Sequence, residues 1–250
     1  MSKNVFIGTS GFNYKHWSGV FYPSDLSQKK WFQYYSQQFN SVEINATYYM
    51  VPKKSTFENW YNITEKKFII ICKANRLTTH RKRLIDPQET MKKFLENITG
   101  LKNKMGPVLF QLPPSFKKDI EKLKNFLEYL KNQKIVENVK SCFEFRHKSW
   151  LCDEIYELLE SYNSCLCFSD WESVNVTEPS TADFVYFRRH GVQQLYTSSY
   201  TDEELKKDAE KIVDYLNQNK DAYVFFNNDA LGYAVENAIQ LRKFVSELIE

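Results

Sequence analysis

No run of apolar residues in this sequence approaches the roughly 18 needed to cross a bilayer. The start, "MSKNVFIGTSGF", lacks an extended apolar core followed by a cleavage site. The expectation is a cytoplasmic protein with no membrane partner. Cysteine is sparse and odd in number, five in 250 residues, and no C-x-x-C occurs, which removes zinc ribbons and thioredoxin-type motifs. Cys142, Cys165 and Cys167 fall inside apolar strand patterns instead, where a reduced thiol packs as a small core residue. An excess of one charge is missing too. The 34 basic and 31 acidic side chains leave +3, too little by itself to argue for nucleic acid or a membrane surface. "GTSG" lacks the G-x-G-x-x-G spacing of a dinucleotide-binding turn. No repeat, low-complexity segment or Gly/Pro/Ser-rich linker divides the chain, so residues 1–250 read as one domain.

What is present is apolar mass and an alternating pattern. Hydrophobic residues make up 42% and aromatics 16%, enough for a large core. Eight β-rich runs follow one another: "NVFIGTS", "SVEINATYY", "FIIICKAN", "PVLFQLP", "SCFEFRH", "SCLCFSD", "FVYFRRHG" and "AYVFFNND". Amphipathic stretches lie between them. Ile120, Leu123, Phe126, Leu127 and Leu130 recur at helical spacing, as do Ile155, Leu158, Leu159 and Tyr162, and Leu205, Ala209, Ile212, Val213 and Leu216. "TDEELKK" reads as a helix start capped by Thr201. Alternation implies a parallel sheet, and eight strands in this length fit an α/β fold of the (β/α)8 TIM-barrel type better than an open doubly wound sheet. One unit is irregular. "WESVNVTEPSTAD", from Trp171 to Asp183, shows no helical stripe, so the helix between strands six and seven is expected to be missing or reduced.

Each strand ends in polar residues, and in a barrel those C-terminal ends meet at one mouth, where such folds hold their active sites. Glu43 and Asn45 share a face of the second strand. Lys73 ends the third, Gln111 the fourth, Glu144 and Arg146 the fifth and Asp170 the sixth; Arg188 and His190 end the seventh, and Asn227 or Asn228 the eighth. In "SCFEFRHKSW", alternation sends Phe143 and Phe145 toward the helices and Glu144 and Arg146 into the mouth. Two interpretations stand. The acids could simply neutralise Lys73, Arg146 and Arg188 in a closed network, or the groups could form a working site. The whole set favours a site, because burying so many ions for stability alone is rarely profitable. In a solvated site Glu144→Gln should be nearly neutral for stability. The first βα loop, "GFNYKHWSGVFYP", brings Tyr14, His16, Trp17 and Tyr22 as a stacking wall or a plug over the rim. The third, "NRLTTHRKRLIDP", brings Arg76, His80, Arg81, Lys82 and Arg83 near Lys73 and Arg146, which suits an anionic ligand.

Seven blocks in order along the chain carry a resemblance: "GTSGFNYKHWSGVFYP", "FNSVEINATYY", "KANRLTTH", "GPVLFQLPPSF", "FEFRHKSW", "YFRRHG" and "FFNNDALGYAVENA". They resemble the YecE-like family, a domain-of-unknown-function group with a TIM-barrel fold. The resemblance implies a site at Glu43, Asn45, Tyr48, Lys73, His80, Gln111, Glu144, Arg146, Trp150, Asp170, Arg188, His190 and Asn228, but no established reaction. At fold level the family is similar to metal-using barrels such as endonuclease IV and xylose isomerase. With only four histidines, three of them (His16, His80 and His147) on or beside loops, a His-rich multi-zinc site does not fit. One divalent ion held by Glu43, Glu144, Asp170 or His190 stays open as a cofactor.

Three functions follow from these residues. The first is an enzyme acting on an anionic small molecule, phosphorylated and sugar-like or nucleotidic, by phosphoester hydrolysis or sugar isomerisation. Lys73, Arg146 and Arg188 would hold the anion, with Asn45, Tyr48, His80, Gln111, Asn228 and Tyr14 around it. Glu43 or Glu144 would be the base, His190 the acid, and Asp170 a further catalytic carboxylate. The second is a nucleic-acid-binding or processing protein, gripping phosphates with the basic loop and stacking bases on the first loop. The third is a barrel that binds a ligand without turnover. The oligomeric state is not legible.

Overall fold

The computed structural model describes residues 4–249, apart from 173, 192 and 193. Along the chain run β1 (Val5–Thr9), α1 (Trp31–Gln38), β2 (Ser41–Ile44), α2 (Ala46–Tyr49), α3 (Lys54–Ile63), β3 (Ile69–Lys73) and α4 (Pro87–Ile98). There follow β4 (Met105–Gln111), α5 (Ile120–Asn132), β5 (Ser141–Glu144), α6 (Asp153–Ser161), β6 (Cys165–Trp171) and β7 (Val174–Val176). The chain then closes with β8 (Phe184–Arg189), α7 (Asp202–Asn217), β9 (Asp221–Phe226) and α8 (Tyr233–Ile249). Eight strands run parallel in the order β1-β9-β8-β6-β5-β4-β3-β2 and form a nearly closed barrel, the expected TIM-type architecture. Between β6 and β8, where no helical stripe was legible, β7 folds back antiparallel on β6, pairing Asp170 with Asn175.

The ring closes where β1 meets β2. Ser10 bridges to Glu43, and the Gly11 amide donates to the Glu43 carbonyl at 2.8 Å. Below that point Asn40 spans the gap, its side chain accepting from the Ile7 amide and donating to the Val5 carbonyl. Gly8 permits the close approach: a Cβ there would sit 2.1 Å from the Ser41 carbonyl oxygen.

Strand alternation divides the core into two layers. One face of each strand looks into the barrel, where Ile71, Leu109, Cys142, Cys165, Cys167, Phe184, Tyr186 and Phe225 pack together. The other face packs under the helices. Phe143 lies against Phe110 and the α5 residue Phe126, while Phe145 stacks on Trp150. Leu123, Phe126, Leu127 and Leu130 of α5, and Leu205, Ala209 and Ile212 of α7, are buried as their spacing requires. Thr201 caps α7 in a reciprocal box with Glu204.

One strand is shorter than its composition suggests. "SVEINATYY" reads as extended to Tyr49, yet β2 ends at Ile44 and the chain turns helical at Asn45. The Thr47 hydroxyl, within hydrogen-bonding reach of both the Ile44 and Lys73 carbonyls, holds this turn against the strand preference of threonine and tyrosine.

Candidate active site

Counting by twos up each strand from the apolar interior leads to Ser10, Glu43, Lys73, Gln111, Glu144, Ser169, Arg188 and Asn227, one step or two below the C-terminal rim. At the centre stands Arg188, only 1% exposed. Its Nε and Nη2 donate to Glu43 at 3.0 and 2.8 Å, a two-point clasp, and its Nη1 donates to Glu144 at 2.5 Å. Glu43 also accepts from the Ser10 hydroxyl (2.8 Å) and the Tyr186 phenol (2.7 Å). Glu144 accepts from Ser169, from Arg146 and from His190 Nε2. Neither carboxylate is exposed. Burial alone would raise the Glu43 carboxyl, but Arg188 and the hydrogen bonds bring it below the ordinary range. Burial acts likewise on Glu144, and Arg146, Arg188 and His190 overcome it to hold that carboxyl well down.

Above this sealed floor opens a pocket of about 490 Å³, lined by Tyr14, Asn45, Tyr48, Tyr49, Lys73, His80, Gln111, Arg146, Arg188, Tyr196 and Asn227. Arg146 lies flat on Trp171, its guanidinium carbon 3.6 Å from the ring centre. Glu43 and Glu144 balance Arg188 and Arg146, which leaves Lys73 as the surplus cation of the group. Among the described residues its ammonium has no hydrogen bond or ion pair; it lies over the Tyr48 ring, 4.8 Å from the centroid. Burial, reinforced by Arg188, pushes Lys73 down to about 7. Burial also pushes His80 down to about 4, with Lys73 and Arg146 adding to the effect, so its imidazole is neutral at neutral pH. Asn45 donates to the Ser10 carbonyl, while its buried Oδ1 lacks a partner among the described residues.

The family model described as "Protein of unknown function DUF72" matches residues 6–249. The chain belongs to this family. It is 27% identical over 270 residues to the UPF0759 protein YunF of Bacillus subtilis, covering 95% of this chain and 93% of YunF. A shorter likeness, 29% over 97 residues, links it to the UPF0759 protein YecE of Escherichia coli, covering 38% of this chain and 36% of YecE. The crystal structure of a DUF72 family protein from Thermotoga maritima superposes with a TM-score of 0.85 at 32% identity, over 97% of this chain and 99% of that one.

Several residues expected at the mouth of this DUF72 barrel lie elsewhere. Asp170 is one residue out of phase with Cys165, Cys167 and Ser169; it accepts from the His190 amide and the Tyr200 hydroxyl and does not line the pocket. Asn228 is likewise out of phase with Phe225 and Asn227. Its amide is buried on the Ser198 carbonyl and Asn237, and Asn227 takes the inward position. His190 is in phase but has no exposure, lidded by Trp171 and Tyr196. Burial lowers its pKa despite the bond to Glu144, so it is not poised as a proton donor. Of the basic loop only His80 reaches the pocket. Lys82 turns to Asp86 and Glu89, and Arg83 to Ser115 and the Phe116 ring. The first loop is mainly a plug, with Trp17 and Tyr22 buried and Tyr22 stacked on Trp31; Tyr14 alone of its aromatics lines the pocket. Trp150 is buried, its indole donating to the Phe116 carbonyl.

The floor does not suit a divalent metal. All four oxygens of Glu43 and Glu144 accept from guanidinium, hydroxyl or imidazole donors, and Arg188 sits between them. No cluster of three or more His, Cys, Asp or Glu arranged to hold a metal occurs among the described residues. Tyr49 and Tyr196 also line the pocket, although the strand pattern singles out neither: Tyr49 ends a run that reads as strand but turns helical at Asn45, and Tyr196 lies in a turn between β8 and α7.

Proposed function

We propose that this DUF72 barrel is an enzyme that binds a small anionic molecule, phosphorylated and sugar-like, at its C-terminal mouth. The observation that carries this is the charge at the pocket surface. Arg146 is fixed on Trp171 with part of its guanidinium toward the pocket, and Lys73 faces the same space with no acid of its own. A phosphate between them would supply the missing counter-charge. Asn45 Oδ1 offers a substrate hydroxyl a buried acceptor, which supports a polyhydroxy ligand. Glu43 and Glu144 then serve as the electrostatic floor that holds Arg188, in place of the base expected of them. Proton transfer falls to Lys73, whose amine can be neutral near pH 7, while His80, already neutral there, offers the ligand a hydrogen bond.

Inorganic phosphate should raise the melting temperature by several degrees at concentrations about 100 times its Kd. Arg146→Ala, with the fold retained by circular dichroism, should remove most of that shift. An undiminished shift would place the anion site elsewhere on the molecule.

A further inference from the structure

A buried lysine ordinarily keeps its charge by pairing with an acid, and here both nearby acids are spent. Glu43 gives its oxygens to Arg188, Ser10 and Tyr186, and Glu144 gives its own to Arg188, Arg146, Ser169 and His190. Lys73 is left at the end of β3 with its amine lining the pocket, beside the Tyr48 ring and two guanidinium groups. Desolvation next to other cations is one of the ways an amine is made nucleophilic. A lysine kept only for electrostatic attraction would be served as well by an ion pair at the rim.

We infer that Lys73 forms an imine with the aldehyde or ketone of its substrate, so that the ligand is a phosphorylated carbonyl compound of sugar size. This rests on the anion-binding function proposed above. The neutral Nζ directs its lone pair to the carbonyl carbon and forms the C–N bond, while the C=O π pair moves to oxygen. That oxygen takes up a proton and the nitrogen releases one, giving a carbinolamine. A second proton on the hydroxyl lets the C–O bond break and water leave, as the nitrogen lone pair forms C=N. The net change consumes one amine, one carbonyl and one proton, and yields a protonated imine and water. Solvent water at the open mouth carries these protons, and His80, Gln111 and Asn227 line the same pocket. The resulting fixed positive charge would act as an electron sink for proton removal at the adjacent carbon, the chemistry an isomerisation needs.

The probe is dihydroxyacetone phosphate with sodium borohydride, which delivers hydride to the imine carbon and leaves a stable secondary amine. On the native protein at about pH 7.5, peptide mapping should find the adduct on Lys73 at least about tenfold above any surface lysine, whose ordinary pKa leaves little neutral amine. Lys73→Arg should abolish it, and unfolding the wild type in guanidinium should erase the preference, which keeps the test sound if the variant does not fold. Adducts spread over surface lysines with Lys73 unmodified would overturn the imine. If phosphate still shifts the melting temperature in that case, the anion site stands without it. If neutral dihydroxyacetone labels Lys73 equally well and phosphate does not compete, the imine stands and the anion site falls.

Discussion

Lys73 carries a penalty that depends on pH. Its native amine releases a proton at about 7, against an ordinary value of 10.5, while the groups facing it are Arg188, Arg146, Glu43, Glu144, His80 and the Tyr48 ring. Between those values the unfolded chain binds more protons than the folded one, so this residue makes stability rise with pH across the window. Below pH 7 both states are protonated and the full penalty applies. Lys73→Met should therefore stabilise the protein most at pH 6, by about 1 kcal/mol or more, with a gain that shrinks toward pH 10 in denaturant melts. Glu144→Gln should do the reverse of what a solvated site would allow. Removing that charge leaves Arg188 and Arg146 short of an acceptor in a sealed floor, at a cost of roughly 3–5 kcal/mol read from the urea midpoint. The period of two was enough to send Glu144, Lys73, Gln111 and Arg188 inward. It would also have set Asp170 and Asn228 aside, had the count been carried up from Cys165 and Phe225. What alternation cannot supply is the pairing. Two acids and three cations permit many arrangements, and only the three-dimensional distances show that Arg188 claims both acids and Lys73 neither.

Helices and strands differ in how far their ends could be read. The start of α7 was plain, because Thr201 and Glu204 stand three apart ahead of an apolar stripe, and both reciprocal bonds form. Thr201→Ala should cost about 1 kcal/mol, checked by the shift of the thermal midpoint with the pocket residues untouched. The end of β2 was not plain. Thr47, Tyr48 and Tyr49 favour strands locally, and the hydroxyl of Thr47 overrides that preference through carbonyls on β2 and β3, one of them 26 residues away. The basic loop after β3 is a similar case. Its charges look continuous in sequence, but a five-residue helical turn and the positive φ angles at Arg83 and Leu84 point most of them away from the pocket. Element type follows from periodicity, whereas the last residue of an element answers to contacts distant in sequence.

The whole barrel was legible because alternation of strand and helix repeats often enough to leave few topologies, and the skipped helix showed as a missing stripe. The seam between β1 and β2 was not, since no local signal marks where a ring closes. Glu43 sits on that seam twice over. Its backbone bridges to Ser10 and accepts from the Gly11 amide, while its carboxylate grips Arg188 from β8 across the interior. The clasp of the hoop and one of its spokes are thus the same residue. Local opening of the ring must loosen the pocket floor, and anything that steadies the floor must keep the ring shut. Phosphate in the pocket should accordingly slow solvent exchange of the Gly11 amide hydrogen, about in proportion to the occupancy of the site. Deuterium uptake at that one position, followed with and without phosphate, would report an event in the mouth through a bond that holds the wall together.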